Sequence, residues 1–141
     1  MKHSILRVFV FIIIVLSLFS CIAEGVSVER ICALFSESMS NEDYPVYTEY
    51  HANGNYIILT LVEESFTSEE WDLLRKHGNG DVTIDIAEIL YSHMRELLDM
   101  CGYSNTTVIT VHQLSDGTAI HLFVNDTDHS SLIVPPLSIT E

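Results

Sequence analysis

Apolar residues recur at helical spacing between Asp85 and Cys101. Ile86, Ile89, Leu90, Met94, Leu97, Leu98 and Cys101 share one face, and Glu88, Arg95, Glu96 and Asp99 share the other. Asp85 with Glu88 predicts a capping box at the start of this helix, and Gly102 stands where a left-handed residue ends one. Ser27–Ser38 carries a shorter helical pattern, with Ser27 as N-cap and Val28, Ile31, Cys32 and Phe35 on one face. Phe66–His77 is a third. Its N-cap is Thr67, Glu70 completes a capping box, and Phe66 can staple onto Trp71. Arg75, Lys76 and His77 suit the dipole of its last turn, and Gly78 ends it.

Alternation of period two marks the other elements. Val46–Ala52 and Tyr56–Glu63 flank Asn53-Gly54, which predicts a hairpin with a type I′ turn that sets Tyr50 opposite Ile57, Thr48 opposite Leu59 and Val46 opposite Leu61 on the core face. Thr106–Leu114 and Thr118–Val124 flank Asp116-Gly117 and predict a second. There Ile109, Val111 and Gln113 oppose Val124, Leu122 and Ile120 and supply the apolar face. Thr110 opposes Phe123 and His112 opposes His121 on the other side. The order αββααββ predicts an α+β fold in which an antiparallel sheet of two hairpins packs on the long amphipathic helix, with helices on one face. Residues 24–125 form this single domain, and 126–141, with Pro135-Pro136, form an extended C-terminal tail.

The N-terminus changes the picture from a plain domain to an exported one. Lys2 and Arg7 precede the apolar run Val8–Leu18 and the small residues Ser20–Ala23, the layout of a signal peptide over residues 1–23. Leu18-Phe19-Ser20-Cys21 resembles the lipobox of bacterial lipoproteins. That resemblance implies lipidation of Cys21 and a membrane contact made only through the lipid anchor at the cell envelope. Cys21-Ile22-Ala23 equally satisfies the small-x-small rule for cleavage before Glu24, which implies a freely secreted protein. Either processing leaves Cys32 and Cys101, in a compartment that permits a disulfide between them.

Charge narrows the partners. The chain has 20 acidic and 6 basic residues, a formal charge of −14. Residues 1–23 hold two of those basic residues and no acidic one, so 4 basic against 20 acidic remain beyond them, a charge of −16. Such a surface repels nucleic acid and anionic membranes and leaves an unidentified protein or small ligand as partner.

Candidate chemistry is sparse. There is no Gly-rich phosphate loop, no His-Glu-x-x-His and no Gly-x-Ser-x-Gly, so no catalytic residue and no cofactor is implied, and a non-enzymatic binding module is the first expectation. A divalent-metal-binding protein is the second. His77–Glu88 resembles an EF-hand calcium loop from its third position onward, which implies ligands at Asn79, Asp81, Thr83, Asp85 and Glu88; position 1 is His77 and position 6 is Val82. Opposed His112 and His121 are the alternative metal pair, for Zn²⁺ or Cu²⁺, with His51 or a carboxylate of the first hairpin as third ligand if the hairpins are adjacent. A small hydrolase would need a concave site gathering His51, His112 or His121 with a carboxylate. Asn105-Thr106-Thr107 and Asn125-Asp126-Thr127 match the N-glycosylation pattern.

Overall fold

A computed structural model describes residues 25–40, 44–77 and 84–133. Residues 1–24, with Cys21 among them, and residues 41–43, 78–83 and 134–141 lie outside the described residues. In chain order the elements are helix α1 (Val28–Met39), strands β1 (Val46–His51) and β2 (Tyr56–Glu63), helices α2 (Ser68–Lys76) and α3 (Ile84–Met100), and strands β3 (Thr107–Leu114), β4 (Ala119–Val124) and β5 (Thr127–Asp128). A 3₁₀ turn, Ser130–Leu132, follows. Among the described residues no helix is long and apolar enough to cross a membrane.

The class is α+β, and the sheet is mixed instead of antiparallel. Its strand order is β1-β2-β3-β4-β5; β1–β2, β3–β4 and β4–β5 are antiparallel, but β2 and β3, which join the two hairpins, are parallel. A parallel junction needs a long crossover, and α2 and α3 provide one. The sheet also runs past residue 125. Thr127 and Asp128 pair with Val124 and Phe123, so the chain beyond Asn125 folds back as a fifth strand where an extended tail was expected.

Local signals set the helices. Ser27 caps α1 by accepting from the Arg30 N–H at 3.2 Å. At α2 the capping box closes both ways: the Glu70 N–H donates to Thr67 Oγ1 at 3.2 Å, and the Thr67 N–H donates to Glu70 Oε2 at 2.8 Å. Helix α3 starts at Ile84, so Asp85 lies inside the helix and not at its N-cap. Its other end is a Schellman stop. Gly102 takes φ +85°, the Tyr103 N–H donates to Leu98 O at 2.8 Å and the Gly102 N–H to Asp99 O at 3.2 Å.

Neither hairpin turn is type I′. In the first, Asn55 is the left-handed residue (φ 49°) and its N–H reaches Ala52 O at 3.2 Å, while the predicted register His51–Tyr56 to Val46–Leu61 is kept. In the second, Gly117 (φ +87°) closes a longer loop in which Leu114 N–H donates to Thr118 O at 2.9 Å. The extra residue is absorbed by a bulge: Gln113 pairs with Ala119, not Ile120, and from His112–His121 to Ile109–Val124 the predicted register is restored.

All three helices pack on one face. Val28, Ile31, Cys32 and Phe35 of α1 and Leu90, Met94, Leu97 and Leu98 of α3 form one cluster with Val46, Ile57, Leu59, Leu61 and Val108. Trp71 of α2 covers the far end with Leu114 and Ile120, and Phe66 packs against them. The face of α3 is rotated from the predicted one. Ile89 is 53% exposed and Ala87 is buried in its place. Arg95, expected in solvent, is half-buried and donates to Thr106 O (2.6 Å), Ser104 O (3.1 Å) and Asn125 Oδ1 (3.1 Å).

Candidate functional site

The second hairpin is inverted relative to its apolar pattern. Each parallel pairing carries the facing of β2 into β3. Ile57, Leu59 and Leu61 point at the helices, and their partners Val108, Thr110 and His112 point the same way. Burying a large aliphatic side chain is worth about 1.5–3 kcal/mol, so three of them fix the facing of β2. The β3–β4 hairpin has no such preference: Val108, Leu114, Ile120 and Phe123 lie on one face and Ile109, Val111, Leu122 and Val124 on the other. The first set is inside, and Thr110, His112 and His121 go in with it.

One row of neighbouring residues therefore runs Val46–Leu61–His112–His121 across four strands on the covered face. His112 is 0% exposed, and neither of its ring nitrogens has a hydrogen-bond partner. Burial, with His121 adding to it, pushes the His112 imidazole down to about 4. The two rings lie 5.6 Å apart, centroid to centroid, and the Trp71 indole meets His121 edge-on at 5.8 Å. Thr110 Oγ1, next along the same face of β3, is also buried without a partner. Glu63, buried at the end of β2 beside Leu114, accepts from the Ser65 N–H at 3.1 Å. Its place on this face follows from the parallel register, which the hairpin signals do not contain.

His51 does not join them. It lies on the opposite face, stacked on Tyr56 at 4.7 Å, with Nε2 3.1 Å from Glu49 Oε1, an ion-pair distance without hydrogen-bond geometry. The two faces of the sheet keep His51 apart from the pair and remove it as the third ligand. Among the described residues no three His, Cys, Asp or Glu side chains are placed to hold a metal ion. Of the calcium-loop set, Asn79, Asp81 and Thr83 lie outside the described residues, and Glu88 is exposed on α3.

Cys32 and Cys101 are free thiols in this structure, where a disulfide was expected, although both belong to the same core cluster. Burial pushes the Cys32 thiol up to about 11 against a lowering hydrogen bond from Thr48, and burial raises Cys101 as well. Tyr103 OH donates to Val26 O at 2.7 Å, and this contact ties the end of α3 to the start of the domain. Asn125 Oδ1 accepts from the Val108 N–H at 3.1 Å and from Arg95, so its side chain is committed to the fold. Asn105 is exposed.

The opposite face of the sheet carries Ile109, Val111, Leu122 and Val124, from the row expected to be the second hairpin's apolar face. Two rows cross it: Glu49–Ile58–Ile109–Val124 and Tyr47–Thr60–Val111–Leu122. Ile58, Ile109, Val111, Leu122 and Val124 are half-buried, and Tyr47 is 60% exposed. Among the described residues no α-helix packs on them; the 3₁₀ turn lies against β4, where Ser130 Oγ accepts from the Leu122 N–H at 3.0 Å. A depression lined by Phe66, Thr67, Ser68, Glu69, Ser115 and Asp116 lies where Ser68 Oγ donates to Asp116 at the second turn.

No protein-family model, curated protein or solved structure matches the chain.

The arrangement thus offers two distinct chemistries. The covered face holds a buried imidazole pair of which His112 resists protonation, and the open face holds an aliphatic surface that can bury against a partner.

Proposed function

We propose that this protein is a non-enzymatic binding module, exported and either lipid-anchored through Cys21 or freely secreted, that takes up a protein partner on the open face of its sheet. One observation carries the reading. Ile58, Ile109, Val111, Leu122 and Val124 form adjacent rows on which no α-helix packs among the described residues, while three helices cover the other face of the same sheet. Sheets in α+β domains bury their apolar faces, and contiguous apolar surface left on one face is characteristic of interaction sites. The leader supports export, and the acidic charge disfavours nucleic acid and anionic lipid as the partner.

A photoreactive benzoylphenylalanine placed at Leu122, and separately at Ser92 on the solvent side of α3, tests the reading in intact producing cells. The expected result is a discrete adduct from position 122 alone, lost when Val111→Lys is added. Equal adducts from both positions, or an adduct indifferent to Val111→Lys, contradicts it. Mass spectrometry of the mature N-terminus separates the two export forms, a diacylglyceryl Cys21 or an unmodified Glu24.

A further inference from the structure

The dimensions and charge of the open face say what fits it. Its apolar part spans β2, β3 and β4. Strands lie about 4.8 Å apart, so this strip is about 10 Å wide between the outer strand axes. That matches the diameter of one α-helix with its side chains, about 10–12 Å. Ile58–Ile109–Val124 and Thr60–Val111–Leu122 form two rows along it.

Among Asp, Glu, Lys and Arg the charge around the strip has one sign, with His51 beside Glu49 at 3.1 Å. None of the five strands contains Lys or Arg. Beyond residue 23 the four basic residues are Arg30, Arg75, Lys76 and Arg95, and all lie in the helices of the covered face. Exposed Glu49 on β1, Glu64 after β2 and Asp126 after β4 edge the strip on three sides. A second copy would bring this acidic rim against itself, at −14 per chain.

We infer that the open face binds a basic amphipathic helix of a partner protein, an inference that rests on the face being a binding surface at all. The apolar stripe of such a helix covers Ile109 and Val111. Lysine or arginine stems flanking that stripe extend over the apolar margin and set their charges at Glu49, Glu64 and Asp126.

Fluorescence anisotropy of the purified full-length protein with two labelled 18-residue helical peptides, one of Leu and Lys and one of Leu and Glu, tests this. The Leu/Lys peptide is expected to bind at least tenfold more tightly than the Leu/Glu peptide. Val111→Lys and Leu122→Lys are each expected to weaken it at least tenfold, with the melting temperature of each variant checked alongside. Ser92→Lys, the same change of charge on exposed α3, is expected to weaken it less than twofold. Equal weakening by Ser92→Lys and Val111→Lys overturns the inference, because binding is then a general charge effect. Preference for the Leu/Glu peptide, or a doubled mass by light scattering that Val111→Lys abolishes, overturns the basic-helix partner and leaves the open face as a binding surface. Indifference of both peptides and of the mass to Val111→Lys and Leu122→Lys removes the binding surface itself.

Discussion

His112 and His121 face each other across β3 and β4 beneath the helices, their ring centroids 5.6 Å apart and His112 fully enclosed. Protonating His112 places a charge where neither ring nitrogen has a partner and a second imidazole stands beside it.

Acid should therefore weaken the fold in a defined window. The imidazole falls from an ordinary value of 6.5 to about 4, so the folded protein binds fewer protons than the unfolded chain. Its stability is complete above 6.5 and is lost as pH falls from there toward 4, by up to about 3 kcal/mol. Urea denaturation across that range is expected to show this slope, which Asp and Glu titration alone would place at lower pH.

His112→Leu should remove both the slope and a cost. An apolar side chain of similar volume leaves no buried nitrogen without a partner, so a gain of about 1–2 kcal/mol near neutral pH is expected. The same denaturation series reads it. A loss of stability in His112→Leu would mean that the imidazole is held by a partner in solution.

Arg95 and Asn125 should behave as a unit. The guanidinium donates to Asn125 Oδ1 at 3.1 Å, and that oxygen also accepts from the Val108 N–H at the start of β3. Arg95→Leu and Asn125→Gly are each expected to cost about 1–3 kcal/mol, and the double variant less than their sum by more than about 0.5 kcal/mol. Glycine is chosen at 125 because the residue holds φ +52°. A double-mutant cycle measures the coupling.

Thiol labelling should be ordered. Cys101 is half-buried and Cys32 buried, with its thiol pushed up to about 11. Near pH 8 an alkylating reagent is expected to modify Cys101 first and Cys32 only on unfolding, as read by peptide mapping. Failure of both to label in unfolded, unreduced protein would establish the disulfide that an exporting compartment permits.

Much of the local structure was legible in the sequence. Ser27, Thr67 with Glu70, and Gly102 each mark a helix end by a side-chain or backbone hydrogen bond formed within a few residues, and such bonds need no knowledge of the rest of the fold. The pairing of His112 with His121 matches the expected register by another route, because the bulge beside His112 offsets a turn that is longer than the dipeptide predicts. What the sequence does not carry is the join between the hairpins. Period-two alternation says that Val111 and His112 face opposite ways, but with four large apolar residues on each face of β3–β4 it does not say which is inside. That choice depends on Ile57, Leu59 and Leu61, some fifty residues earlier, and on a parallel pairing that no turn residue encodes. The face of α3 went astray by less. Ala87 is buried on α3 and Ile89 is 53% exposed.

The orientation of β3 decides both the buried histidine pair and the open face, and two adjacent substitutions measure it. Urea denaturation near neutral pH should show Val111→Lys costing at most about 1 kcal/mol, since its ammonium reaches water on the uncovered face. Thr110→Lys, one residue earlier at a position 0% exposed, should cost more than about 3 kcal/mol or prevent folding, because it buries an unpaired charge under the helices. A larger loss from Val111→Lys than from Thr110→Lys would contradict the orientation, and with it both sites.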